Sequence, residues 1–444
     1  MRLPSALVAA GFAVCSGHAS DAQPVPQDVV TALQCGHLID TAAGKLLGAS
    51  TVIIEGGRIR EVVAGTSAPA GARLIDLNSQ TCLPGLIDSH THISGQTSRS
   101  EYVDRYHLNV ADYAIRSTVY ARRTLLAGFT TIRNLGDTNY ESLALRDAIK
   151  AGSVPGPRIF SAGRAIGTTG GHADPFNGYR LDLNRDLGPA EGIINSPEDA
   201  VKAVRQHYKM GADVIKIMPS GGVLDEGASG DNAQMTLEEI KAVVATARDY
   251  GFVVAAHAHG AEAIRRAVLA GVDSIEHGTY LDAEGMKLMV EHGTYLVPTI
   301  IAGDFVARTA KANPNYYPPQ VAAKAIAIGP VIQATAGRAY KAHVKIAFGT
   351  DAAVYPHGEN AHEFELMVEA GIPAMYALQT ATINAATLLR HDKELGTLSA
   401  GKLADVVAVP GNPVEDISLM KKVSFVMKDG TLYKLNGVPT PTAP

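Results

Sequence analysis

Hydrophobic residues fall along this chain in two textures. From Val29 to about Thr81, short apolar runs are broken by turn residues. Ser50-Thr-Val-Ile-Ile54 and Ile59 to Val63 flank Glu55-Gly-Gly-Arg58, a pattern that predicts a β-hairpin. The same texture returns near the other end in Asp405-Val-Val-Ala-Val409 and in Val423 to Met427. There the Lys428-Asp-Gly430 turn leads into Thr431 to Tyr433. These runs predict a small β-sandwich domain built from both termini, residues 23–83 plus 396–436, around a central insert.

Within the insert, residues 84–395, strand-like runs alternate with amphipathic helices. The strand candidates are Gly85 to Ile93, Phe129 to Leu135, Arg158 to Ala162, Asp213 to Met218, Val253 to Ala258, Ser274 to His277, Tyr295 to Ile301 and Lys345 to Gly349. Helix signals sit between them. Ser196-Pro197 supplies an N-cap followed by proline at the first helical position, Thr236 and Glu239 form a capping box, and Gly271 follows Leu269-Ala270 as a C-cap. Eight strands with intervening helices predict an α/β fold, a closed (β/α)8 TIM-like barrel. Asn313-Pro-Asn-Tyr-Tyr-Pro-Pro319 reads as a loop in the wall over one end.

Candidate chemistry lies at the ends of these runs. His90 and His92, at i and i+2, project to the same side of a strand and can hold one metal ion together. Taken alone, such a pair is as often a hydrogen-bonded core feature as a ligand pair. Four more residues change that balance: Lys216 in Asp-Val-Ile-Lys-Ile-Met, His257 in Val-Val-Ala-Ala-His, His277 in Ser-Ile-Glu-His-Gly, and Asp351 in Ile-Ala-Phe-Gly-Thr-Asp. Polar groups carried on the ends of several separate strands are how an α/β barrel builds an active site.

In this order and placement, the six residues resemble the metal-dependent amidohydrolase superfamily, over residues from about 30 to about 435. Within it, Gly211-Ala-Asp-Val-Ile-Lys-Ile-Met-Pro-Ser-Gly-Gly222, Thr168-Thr-Gly-Gly-His172 and Leu395-Gly-Thr-Leu-Ser-Ala-Gly-Lys-Leu-Ala-Asp405 are similar to the imidazolonepropionase-like branch. That branch holds Xaa-Pro dipeptidases and bacterial enzymes that hydrolyse ochratoxin A. The resemblance implies two divalent metal ions, zinc by preference for a histidine and oxygen donor set. His90, His92 and Asp351 would bind one, and His257 and His277 the other. Lys216, its amine held neutral beside two cations, would add carbon dioxide and bridge them as a carbamate. Asp351 would take the proton of the attacking water and pass it to the leaving nitrogen, since an amide nitrogen leaves only once protonated.

The implied activity is hydrolysis of an amide bond that releases a C-terminal amino acid, including ochratoxin A to ochratoxin α and phenylalanine. An Xaa-Pro dipeptidase or a cyclic-amide hydrolase is the alternative, and a non-catalytic scaffold a more distant one. Ser94 and His259, each two residues past a ligand on the same strand face, should point near the metals, either to substrate or to orient a ligand. His172, in a Gly-rich loop, and Tyr280, just past His277, complete the substrate-contact candidates. The Gly-rich loop lacks the Gly-Lys-Ser/Thr that would cradle a nucleotide's phosphates.

Composition narrows the partners. A net charge of −5 over 444 residues, with no basic stripe, argues against nucleic acid and anionic membrane surfaces, leaving a small molecule as the expected partner. Arg2, the apolar segment Leu7 to Val14 and Ser20-Asp-Ala22 read as a signal peptide over residues 1–22, hence an exported protein that is periplasmic or secreted. Val14 is too bulky to precede a lipidated Cys15. No later stretch approaches the roughly 20 apolar residues of a membrane span. With the signal removed, Cys35 and Cys82 remain, either paired in an oxidising compartment or buried as thiols. A homo-oligomer is expected from related barrels.

Overall fold

The computed structural model describes residues 30–225 and 229–441. The expected signal peptide lies outside them. Eight short parallel strands form the central body: β1 (Leu86–Thr91), β2 (Phe129–Asn134), β3 (Arg158–Ser161), β4 (Ile215–Ile217), β5 (Val254–Ala258), β6 (Ser274–His277), β7 (Tyr295–Val297) and β8 (Lys345–Ile346). β1 to β3 pair in one run and β4 to β8 in another. Backbone hydrogen bonds close the circle on both sides. Asp213 N–H donates to Ser161 O at 2.7 Å, while Ser89 N–H donates to Phe348 O at 2.8 Å and Asp351 N–H to His90 O at 2.7 Å. All six strand-end candidates therefore stand on one ring.

Each strand is short because its apolar run is short, and local chemistry sets the element after it. The Pro197–Met210 helix starts at Ser196, whose side chain accepts from Asp199 N–H. Thr236 and Glu239 cap the Leu237–Asp249 helix reciprocally, and Gly271, at φ 91°, ends the Ala261–Ala270 helix in the left-handed region that glycine tolerates. One run differs from expectation. Tyr295 to Ile301 reads as one strand, but the strand stops at Val297 and a helix, Ile300–Ala312, begins at once. Pro298 removes a ladder donor and Thr299 takes φ 51°, so the β-branched pair Ile300-Ile301 opens a helix.

The strands from the two chain ends form one mixed nine-stranded sheet. The Arg73–Pro84 strand explains why hydrogen bonding makes one sheet where two packed sheets were expected. It runs parallel to Thr31–Asp40 and, over Gln80 to Pro84, antiparallel to Val406–Pro410, so a single strand serves both halves. The pairing shifts register beside Gly36, where an added Cβ would come within 2.0 Å of Asn78 O. Cys35 and Cys82, on these neighbouring strands, are joined by a disulfide with Cα atoms 5.9 Å apart. Among the described residues no helix is long and apolar enough to cross a membrane.

Candidate metal centre

Five of the strand-end side chains meet over the ring. His90 and His92, from β1, and Asp351, just after β8, come together first: Asp351 Oδ1 lies 3.4 Å from His90 Nε2 and 3.2 Å from His92 Nε2. On the other side, the rings of His257, from β5, and His277, from β6, are 4.7 Å apart, and those of His90 and His277 are 5.0 Å apart. Two groups have donor atoms mutually within 4.8 Å, His90 with His277 and Asp351, and His257 with His259 and His277. Lys216, buried on β4, has its electrostatic neighbours in Glu276, Asp351 and Arg133.

The histidines are arranged to present bare nitrogens to one another. His90 Nδ1 donates to Glu276 Oε2 at 2.9 Å, His92 Nδ1 to Gly136 O at 3.0 Å, and His257 Nε2 to Gly221 O at 3.0 Å. His277 Nδ1 meets Thr299 Oγ1 at 2.7 Å, and His259 Nδ1 meets Thr279 Oγ1 at 2.8 Å. With one nitrogen engaged outward, the other is left as a lone-pair donor facing the centre, provided the ring is neutral. For the four buried rings, burial ensures this. It pushes His90 down to about 4 and His259 to about 3, and holds His257 and His277 well below the usual imidazole range. The same burial lowers the Lys216 amine to about 8, against the pull of Glu276 and Asp351. The Asp351 carboxyl is pushed up by burial but more strongly down by His90, His92 and Lys216, so it stays ionised. Neutral imidazoles around an anionic oxygen fit a divalent cation.

Backbone strain gathers here as well. His277 (φ 68°), Thr299 (φ 51°), Asp351 (φ 60°) and Ala353 (φ 131°) all lie at positive φ without being glycine.

The other candidates divide. His259 stands in the cluster itself, its ring stacked on that of His277 at 4.9 Å, so it is as close a partner as the expected ligands. His172 sits 4.5 Å from the His257 ring, and its Nδ1 donates to Asp225 Oδ2 at 2.8 Å. Gly222 makes room for it, since an added Cβ would come within 2.1 Å of the imidazole. Ser94 is buried but its hydroxyl makes no hydrogen bond to the cluster. Tyr280 is 41% exposed, and its backbone N–H donates to His259 O at 2.8 Å.

Several supporting residues were not singled out from the sequence. Glu276 and Arg133 are wholly buried and bonded at 2.9 Å inside the barrel, where Glu276 also holds His90. Asp88 ties the two sides of the first group together, accepting from Thr350 Oγ1 at 2.6 Å, Asn360 Nδ2 at 2.8 Å and the His90 N–H at 3.1 Å. Their signal was available, because a charged side chain inside an apolar strand run is rarely left unpaired.

Comparison with known proteins places this geometry in a context. Residues 81–433 match the profile of the Amidohydrolase family. The ochratoxinase of Aspergillus niger is 34% identical over 377 residues, which cover 80% of this chain and 76% of the relative. The imidazolonepropionase of Pyrobaculum arsenaticum is 25% identical over 354 residues, 76% of this chain and 78% of the relative. Among solved structures, a Xaa-Pro dipeptidase with methionine bound in its active site is similar with a TM-score of 0.88. It is 48% identical and covers 91% of this chain and 100% of its own.

Proposed function

The chain belongs to the amidohydrolase family of hydrolytic enzymes, and from that premise we propose that it is a dinuclear metal hydrolase that cleaves the amide bond to a C-terminal amino acid, acting on Xaa-Pro dipeptides. The observation that carries the substrate class is the 48% identity, over 91% of this chain, to a Xaa-Pro dipeptidase. The observation that carries the metal is the set of buried histidines with one nitrogen engaged and the other bare.

In this reading His90, His92 and Asp351 would hold one ion and His257 and His277 the other. When bound, the ions supply Lewis acidity, which lowers the pKa of water toward neutrality and polarises the scissile carbonyl. Zinc suits the donors. The buried Lys216 amine, by attacking the carbon of carbon dioxide and losing a proton, would become a carbamate and supply an anionic oxygen ligand to the centre. Asp351, ionised between His90 and His92, accepts a proton from the attacking water and delivers it to the departing nitrogen. His172, oriented through Asp225, is the side chain placed to meet the rest of the substrate. The disulfide supports export to an oxidising compartment. Exposed Tyr106, Ile115 and Val119 on neighbouring helices support a homo-oligomer.

The test is mass-spectrometric detection of free amino acid from Xaa-Pro dipeptides, N-acyl amino acids and ochratoxin A, alongside Asp351→Asn. Proline release, absent in the variant, is expected. No release from any of them by protein holding two ions would defeat the substrate reading and turn attention to cyclic amides, which the similarity to an imidazolonepropionase favours. The similarity to a fungal ochratoxinase favours a second reading, ochratoxin A to ochratoxin α and phenylalanine. A mass gain of one carbon dioxide on the peptide containing Lys216, in native-state spectra, checks the carbamate.

A further inference from the structure

His277 belongs to both donor groups, the one with His90 and Asp351 and the one with His257 and His259. The orientation of its ring therefore sets how the two halves of the centre are spaced. Among the described residues its one side-chain hydrogen bond is Nδ1 to Thr299 Oγ1 at 2.7 Å, beside ring contacts with His90, His257 and His259. Thr299 is itself in an awkward position. It is buried and lies in the left-handed region, φ 51° and ψ 44°, where a β-branched residue is an outlier. Something must hold it there.

Thr299 precedes the Ile300–Ala312 helix as its N-cap residue. A threonine there ordinarily turns its hydroxyl back to accept from the first free N–H groups of the helix. This one does not, and makes no side-chain cap hydrogen bond. The first two N–H groups go instead to Glu363, which comes from a later helix, His362–Glu369. Ile300 N–H donates to Glu363 Oε1 at 2.9 Å and Ile301 N–H to Oε2 at 2.6 Å. Glu363 is fully buried, and burial raises its carboxyl to about 8 against the lowering pull of the Ile301 and Ile300 N–H groups, which a helix N-terminus otherwise leaves unpaired.

We propose that Glu363 is a positioning residue for the metal centre: by capping the Ile300–Ala312 helix in place of Thr299, it releases the Thr299 hydroxyl to fix the His277 ring. The inference rests on the metal-centre reading above and adds to it a control that lies outside the ligand set. A purely structural role for Glu363 would lower thermal stability and leave metal binding alone.

Chelator competition with zinc, read as the affinity of each of the two positions, separates these roles in the full-length mature protein. In Thr299→Val, one of the two zinc ions is expected to bind about 10–100-fold more weakly, the other being retained, and Thr299→Ser keeps both. Glu363→Gln is expected to weaken the same ion, and the double variant Glu363→Gln/Thr299→Val to be no weaker than Thr299→Val, because both act through one contact. Two zinc ions bound with unchanged affinity in Thr299→Val, or in a folded Glu363→Gln, would overturn the proposal. So would additive losses in the double variant. Wild-type protein that binds no zinc at all would defeat the metal-centre reading itself.

Discussion

The barrel's open end and the sheet built from the chain termini use the same backbone device to opposite purposes. In the terminal sheet, the non-glycine residues at positive φ are Asp429 and Asn436, both in hairpin turns, and both of types that tolerate that conformation. Around the candidate centre they are His277, Thr299, Asp351 and Ala353. Two of these, Thr299 and Ala353, are residues that resist it, and the other two, His277 and Asp351, carry donor atoms of the cluster. The sheet closes on apolar pairs and a disulfide, whereas the barrel end buries Lys216, Glu276, Arg133 and Asp88 together beneath a half-buried Asp351. One region is locally relaxed and the other is held against local preference, which is the usual mark of a functional site.

Breaking the functional side should have the largest effect. Asp351→Asn removes the proposed proton acceptor while preserving shape, and is expected to lower kcat by about a thousandfold or more, with a thermal midpoint unchanged or raised. Steady-state kinetics beside calorimetry decides it, and a large loss of stability would mean that Asp351 serves the fold first.

Next comes the buried pair beneath the centre. Arg133→Met strips the buried Glu276 of its guanidinium partner and leaves it only His90 and Ser274, a loss of about 3–5 kcal/mol, to be read from denaturant unfolding. The pH dependence has a definite sign. Burial raises the Glu276 carboxyl, but Arg133 and His90 outweigh it and hold it at about 2, below its ordinary 4.5. A depressed carboxyl contributes stability that is present above its unfolded value and is lost as pH falls through its folded value. Acid unfolding is therefore expected to reach wild type through a window below about pH 4.5, and to begin at higher pH in Arg133→Met.

These two residues also mark where reading the sequence stopped. The barrel was legible because each strand is a short apolar run ended by a polar residue, and the six residues of the centre were legible because they are those polar ends. Glu276 and Arg133 sit inside their runs, one residue before His277 and one before Asn134, so periodicity assigned them no role. Thr299 was obscured for a related reason, since Val297-Pro-Thr-Ile-Ile301 looks like a continuing strand until the left-handed turn at Thr299 is known. Glu363 acts on a helix 62 residues before it, and no local pattern connects the two. The one sheet in place of two depends on Arg73–Pro84 pairing along both halves, a long-range choice of partner.

On the sheet side, Cys35→Ser/Cys82→Ser opens a loop with a sequence separation of 47. Chain-entropy reasoning puts the loss at about 4 kcal/mol. The expected result is a lower unfolding midpoint with kcat per folded molecule unchanged. A fall in kcat with the fold intact would mean that the sheet transmits order to the centre, and would weaken the contrast between the two regions.

The smallest effects sharpen the comparison most, because one substitution should change sign between the regions. Replacing a residue by glycine costs about 0.4–1 kcal/mol through the added freedom of the unfolded chain. At Ala353, φ 131°, glycine also removes strain of about 1–3 kcal/mol, so Ala353→Gly is expected to raise stability by about 0.5 kcal/mol or more, even after a half-buried methyl is lost. At Asn436, exposed and at φ 52°, there is little strain to remove. The entropic term is then left alone, and Asn436→Gly is expected to lower stability by about 0.5 kcal/mol. Denaturant midpoints at constant slope measure both. Two losses would mean that the backbone beside Asp351 is no more strained than a surface hairpin, and that the order of this centre comes from its side-chain bonds alone.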